Sequence, residues 1–179
     1  MTTLPRGREF TRADLDAMPD DGNRYELVDG SIIVTPSPKV PHQRAQRRLD
    51  HLIEAACPEG FEIFVAPLDV TLGERTVVQP DLLVTTSSQV SGLDHEGVPL
   101  LAVEILSPST RHIDLGLKRS SFEKAGVPSY WVVDPAEPSI IAWELVDDRY
   151  VEVGRATGAE ALTVERPFPV TVVPDLLVR

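Results

Sequence analysis

The feature that most constrains this chain is a strand, helix, strand succession between residues 99 and 134. Residues 99–106 form a largely apolar run of strand length. Residues 114–125 carry a helical pattern that stops at Gly126, and residues 129–134 form a second apolar run. Two strands joined through a helix are expected to lie parallel with a right-handed crossover, because a right-twisted strand feeding a right-handed helix packs back onto the sheet only in that sense. At 179 residues and 42% hydrophobic content the chain can bury one sizeable core but is short for two, so residues 1–179 are expected to form one domain.

Around this unit the pattern changes from segment to segment. Thr11 with Asp14 has the form of a helix cap, which predicts a short helix over residues 11–18, ending near Pro19. Residues 25–28 and 31–35 flank Asp29-Gly30, a pair suited to the positive φ angles of a type I′ hairpin turn. Pro36, Pro38 and Pro41 make residues 35–41 a loop. A helix over residues 42–57 follows from the spacing of Ala45, Leu49, Leu52, Ile53 and Ala56, with Arg44, Arg47 and Arg48 mostly turned elsewhere. Strands are expected over residues 61–65, 68–72 and 77–85, and a second hairpin over residues 139–146 and 149–153 around Asp147-Asp148. The fold class is α/β with a mixed β-sheet flanked by helices and with N-terminal and C-terminal hairpins. Residues 77–84 and 172–178 look alike, but no acidic strand follows the second copy, and the echo reads as coincidence.

Charge and motif content narrow the function. A formal charge of -11 repels phosphate polyanions and anionic membranes unless positive charge is gathered locally. Cys57 is the single cysteine and has no CxxC partner, which excludes an intrachain disulfide and a thiolate zinc site and fits a cytoplasmic setting. The first ten residues lack the apolar core of a secretory signal, and no apolar run approaches the roughly 20 residues that span a bilayer. His42, His51, His95 and His112 show no HExxH pattern, and there is no GxSxG elbow, Walker loop or GxGxxG. Ser107-Pro-Ser-Thr110 reads as a turn leading into the next helix.

Chemistry concentrates between Gln79 and Asp134. Strand alternation places Gln79 and Asp81 on one face of residues 77–85, and Ala102, Glu104 and Leu106 on one face of residues 99–106. Both acids interrupt apolar runs, and ionised carboxylates on such a surface need pairing, hydrogen bonds or a metal. A hard divalent ion, magnesium or manganese, suits two strand carboxylates; ordinary ion pairs with arginines are the alternative. Lys118 stands four residues after Asp114, the spacing of a common exposed helix pair. Glu26 could face solvent or pair with Arg24, and His42 could be a surface residue at a helix start. Tyr130 and Trp131, beside Val132 and Val133, read as core. The local basic groups, Arg44, Arg47 and Arg48 and then Arg111, Lys118, Arg119 and Lys124, are solvated helix faces or, beside an acidic site, phosphate contacts.

Six segments taken in order resemble a known family. They are Arg24-Tyr-Glu-Leu-Val-Asp-Gly30, Pro36-Ser-Pro38 with His42, Val78-Gln-Pro-Asp-Leu-Leu83, Val103-Glu-Ile-Leu-Ser-Pro-Ser-Thr110, Asp114-Leu with Lys118, and Gly126 with Tyr130-Trp-Val-Val-Asp-Pro135. They look like the Uma-two family of restriction-endonuclease-like proteins, within the PD-(D/E)xK nucleases. The resemblance implies a restriction-endonuclease-like core with Asp81 and Glu104 as metal carboxylates and the backbone carbonyl of Ile105 as a further ligand. It implies that Glu26 stands behind those ligands or joins them, that Lys118 orients or helps deprotonate the attacking water, and that His42, with Gln79, contacts substrate. The usual acid-x-lysine spacing would put the lysine at position 106, where this chain has Leu106, so the following helix must supply it.

The expected activity is a magnesium-dependent (or manganese-dependent) endonuclease acting on nucleic acid, DNA first, as a cytoplasmic homodimer. The competing expectation is a non-catalytic binding or assembly domain that keeps the nuclease-like fold.

Overall fold

The computed structural model describes residues 8–91, 94–95 and 97–179. Most of the opening segment read for a secretory signal, residues 1–7, lies outside the described residues. In chain order the elements are α1 (Arg12–Asp16), β1 (Arg24–Val28), β2 (Ser31–Thr35), α2 (Val40–Ala56), β3 (Phe61–Val65), β4 (Val70–Gly73), β5 (Thr76–Val78) and β6 (Leu82–Thr86). Then come β7 (Val90–Ser91), β8 (Asp94–His95), β9 (Leu101–Ile105), a π-helical stretch (Ile113–Lys118), α3 (Arg119–Ala125) and β10 (Ser129–Asp134). The chain closes with β11 (Ser139–Val146), β12 (Arg149–Thr157), β13 (Leu162–Val164), β14 (Val170–Val172) and α4 (Pro174–Val178). Among the described residues no helix is long and apolar enough to cross a membrane.

A six-stranded mixed sheet in the order β12-β11-β10-β9-β6-β3 organises the fold. Its parallel pair is β9 with β10, in register from Ser129 opposite Leu101 to Val133 opposite Ile105, as the strand, helix, strand unit requires. Both strands are buried along their whole length, so their alternating side chains feed two cores. Leu101, Val103, Ile105, Trp131 and Val133 pack with Ala45, Leu49 and Ile53 of α2. On the opposite face, Ala102, Tyr130 and Val132 pack with Phe122 of α3 and with Val28, Val70 and Val78 of the second sheet. Tyr130 and Trp131 are thus core residues, as expected.

The second sheet has four antiparallel strands in the order β2-β1-β5-β4. Its β1-β2 hairpin turns at Asp29 and Gly30, with φ of 47° and 75°, the two positive values of the expected turn. Asp147 and Asp148, at 49° and 59°, close the β11-β12 hairpin in the same way.

Three expectations are corrected. Residues 77–85 are not one strand: β5 ends at Val78 in the four-stranded sheet and β6 begins at Leu82 in the six-stranded sheet. Pro80 has no N–H to give a ladder and holds Gln79 out of regular pairing, so the chain crosses between sheets there. Gln79 and Asp81 therefore do not share a strand face. Second, the helix expected from residue 42 begins at Val40, with Pro41 in the first turn, where its missing N–H removes no bond. Third, the helix expected over residues 114–125 opens as the π-helical stretch. Tyr130 donates its hydroxyl to the Asp114 carbonyl at 2.9 Å, and Gly126 ends α3 in the left-handed region at φ 82°.

The likeness between residues 77–84 and 172–178 is indeed without structural meaning. Pro80-Asp-Leu-Leu-Val84 enters a strand, whereas Pro174-Asp-Leu-Leu-Val178 is helix α4. Arg44 and Arg48 of α2 donate to the α4 carbonyls of Val178 and Leu176, at 3.2 and 2.9 Å, supplying partners that a helix end otherwise lacks.

Candidate active site

Where the two sheets meet, β1, the Gln79–Asp81 crossing, β9 and the π-helical stretch bring together Glu26, Asp81, Glu104, Asp114, Lys118 and Arg24. All but Arg24 are buried. Strand alternation places Arg24 and Glu26 on one face of β1, and Glu104 on the β9 face that looks toward α3. Lys118 lies at the centre. Its Nζ is 2.8 Å from Glu26 Oε1, 2.9 Å from Glu104 Oε1 and 4.0 Å from Asp114 Oδ1. Its reading as an exposed partner of Asp114 does not hold: the side chain is 2% exposed and its two nearest acids come from other elements. Glu26 likewise faces the interior, not solvent.

Asp81 is held from three sides. Its Oδ1 accepts from Arg24 at 3.1 Å, while Oδ2 accepts from the Ile105 amide at 2.8 Å and lies 3.0 Å from His42 Nε2. Its own carbonyl accepts from Gln46 Nε2 at 2.7 Å. His42 and Gln46 stand one turn apart on α2, so this helix reaches the site along one edge while its apolar face enters the core. His42 thus contacts the site, and its reading as a surface residue at a helix start is corrected. Gln79 takes part differently: its backbone N–H donates to Glu26 Oε1 at 2.7 Å, but its side chain turns to Asp69 Oδ1 at 2.8 Å. Leu106, at the usual lysine position, is buried apolar packing beside Phe122 and Tyr130.

Burial and charge act against each other at every group. Burial pushes the Asp81 carboxyl up, but the His42 hydrogen bond and the charges of His42, Arg24 and Lys118 outweigh it and hold Asp81 at about 2. At Glu104 burial wins with help from Asp81, Asp114 and Glu26, and its carboxyl lies well above the ordinary range despite Lys118. Burial also takes Asp114 up to about 6. Lys118 is pushed down by burial, yet Glu104, Glu26 and Asp114 more than reverse this, so it stays an ammonium at neutral pH.

The donor set fits a hard divalent cation. Four carboxylates face two permanent cations, Arg24 and Lys118, leaving two negative charges in excess when all are ionised. Glu26 Oε2 is buried without a hydrogen-bond partner, an open oxygen aimed into the cluster. Among the described residues no group of three or more His, Cys, Asp or Glu side chains is arranged to hold a metal ion, so any ion would rest on fewer side chains than that. Magnesium uses few protein carboxylates and completes its shell with water and substrate oxygens.

Arg24, Gln46 and Asp114 join the cluster although none was singled out as a site residue. Arg24-x-Glu26 on a strand and His42-x-x-x-Gln46 on a helix were the signals for the first two. Of the remaining basic residues, Arg111 pairs with Asp134, Lys124 lies 3.9 Å from Asp29, and Arg119 lies over the Trp143 ring at 5.3 Å. Ser107 builds a turn as expected, its hydroxyl 3.0 Å from that of Thr110.

The two sheets with their flanking helices define a mixed α/β protein with an acidic cluster where the sheets meet. The fold is similar to the crystal structure of "a putative nuclease belonging to DUF820" from Anabaena variabilis, with a TM-score of 0.78 over 94% of this chain and 97% of that one. The two sequences are 20% identical, so this likeness concerns the fold. The chain belongs to the Uma2 family, described as "Putative restriction endonuclease", whose model matches residues 12–177. No curated protein matches it.

Proposed function

We propose that this protein is a divalent-metal-dependent endonuclease that hydrolyses phosphodiester bonds in nucleic acid, DNA first. The observation that carries this reading is the buried junction at which Lys118 spans Glu26 and Glu104 next to Asp81. A nuclease-like family and fold agree with it. Asp81 and Glu104 would hold magnesium or manganese with the Ile105 carbonyl, and Glu26 would join them or stand behind them. A bound ion would supply Lewis-acid polarisation of the scissile phosphate and of the attacking water.

The chain's own groups do the rest. The Ile105 amide and His42 fix the orientation of Asp81, and Gln46 fixes its backbone. Lys118 would orient the attacking water or help deprotonate it, and while an ammonium it would offset the charge that develops on the phosphate oxygens. Glu26 keeps Lys118 in place. His42, 11% exposed in its side chain, lies at the rim where substrate would arrive.

One observation favours the second reading, a non-catalytic binding or assembly domain: the net charge is -11, and most of the other basic side chains are engaged away from the site. Calorimetric titration with Mn²⁺ separates the two. The nuclease reading expects one ion per chain, lost in Asp81→Asn; a folded protein that takes no Mn²⁺ supports the binding domain.

A further inference from the structure

Asp81 is held unevenly. Its Oδ2 is anchored by a backbone amide inside the sheet and by His42, whereas the one hydrogen bond described at Oδ1 comes from Arg24, at 3.1 Å. The seat of that guanidinium is poorly satisfied. Arg24 Nε is buried without a hydrogen-bond partner, and it faces Glu26 Oε2, also unpartnered, across 3.7 Å. Two complementary groups that stop short of bonding mark an arrangement that suits neither. Of the two permanent cations, Lys118 is sealed in, whereas Arg24 begins β1 and its side chain is 22% exposed. Only Arg24 can exchange its partner for one outside the protein.

We infer that Arg24 is an exchangeable counter-ion. Without metal it neutralises Asp81 Oδ1; when a divalent ion takes that oxygen, Arg24 turns outward and its planar fork clamps non-bridging oxygens of the substrate phosphodiester. This assigns a substrate-contact role to Arg24 and rests on the metal-site reading above. A guanidinium presents two parallel donors to phosphate, which a lysine ammonium cannot reproduce. The exchange also keeps Arg24 from competing with the ion while substrate is bound, which ties phosphate capture to metal occupancy.

The test uses the full chain, wild type, Arg24→Gln and Arg24→Lys, with melting curves to establish folding. Mn²⁺ affinity is measured by calorimetry, and binding of a labelled 20-base-pair duplex by anisotropy with and without Ca²⁺. Arg24→Gln is expected to bind Mn²⁺ at least as tightly as wild type, since no cation has to be expelled from Asp81. Both variants are expected to bind the duplex about tenfold or more weakly than wild type with Ca²⁺, and equally to wild type without it. Weaker Mn²⁺ binding by a folded Arg24→Gln, or duplex binding that falls equally with and without Ca²⁺, overturns the inference alone. Failure of wild type to bind Mn²⁺ overturns the metal-site reading and this inference together.

Discussion

Lys118 reaches Glu104 from fourteen residues further along the chain, Nζ 2.9 Å from Oε1, with both side chains buried. The usual nuclease spacing would set the amine two residues after the acid on the same strand. Here that position is Leu106, which packs in the apolar core, and the π-helical stretch delivers the amine from above the sheet. Strand and helix must therefore hold their relative positions for the site to exist.

Removing the amine is expected to be costly before any chemistry is measured. Lys118→Met leaves Glu26 and Glu104 buried without their shared cation, and breaking a buried pair from one side costs about 3–5 kcal/mol. Urea denaturation of the metal-free protein reads this as a lower midpoint. An unchanged midpoint contradicts the central place of Lys118 in the cluster.

Stability of the metal-free protein is expected to fall as pH rises from 3.8 through about 6. Asp114, at about 6 in the fold against an ordinary 3.8, binds protons more tightly folded than unfolded. Its contribution is therefore full below pH 3.8 and lost as pH rises through about 6. Glu104 acts in the same direction. Asp81 acts oppositely: held at about 2, it stabilises above 3.8 and loses that contribution only as pH falls through about 2. Melting temperatures between roughly pH 4 and pH 7 test this, and Asp114→Asn is expected to flatten the decline.

Tyr130→Phe isolates the π-helical stretch. The hydroxyl that donates to the Asp114 carbonyl disappears while the ring stays in the core, removing one hydrogen bond at a cost of about 0.5–1.5 kcal/mol. Hydrogen exchange is expected to quicken across residues 113–118 more than across β10. Uniform quickening would show that the bond has no local role.

Much of this fold is legible in the sequence because its signals are local. The turn at Asp29-Gly30, the closure at Gly126 and the apolar runs of β9 and β10 each follow from a few adjacent residues. The break at Pro80 was visible as a residue type, but its consequence, a passage between two sheets, depends on partners far away in the chain. The pentapeptide Pro-Asp-Leu-Leu-Val makes the same point: it enters a strand at residues 80–84 and forms a helix at residues 174–178, where Arg44 and Arg48 meet its carbonyls. In the site, resemblance to a family pointed to Asp81, Glu104, Lys118 and Glu26, and the structure brings these four together. Residue spacing alone suggested a surface pair for Lys118, because periodicity carries no information on which helix face meets an acidic pocket. Gln46 escaped notice for the same reason, whereas Arg24 was legible as a partner for Glu26, and the structure sets the two 3.7 Å apart.

The most direct measurement is a nicking assay on supercoiled plasmid with Mg²⁺ or Mn²⁺ titrated against wild type and Asp81→Asn, at protein concentrations where both are folded. Wild type is expected to cleave only with metal, and Asp81→Asn to be slower by about a hundredfold or more with an intact melting transition. Equal cleavage by both, or cleavage by wild type that persists in excess chelator, would contradict a metal-dependent nuclease centred on Asp81.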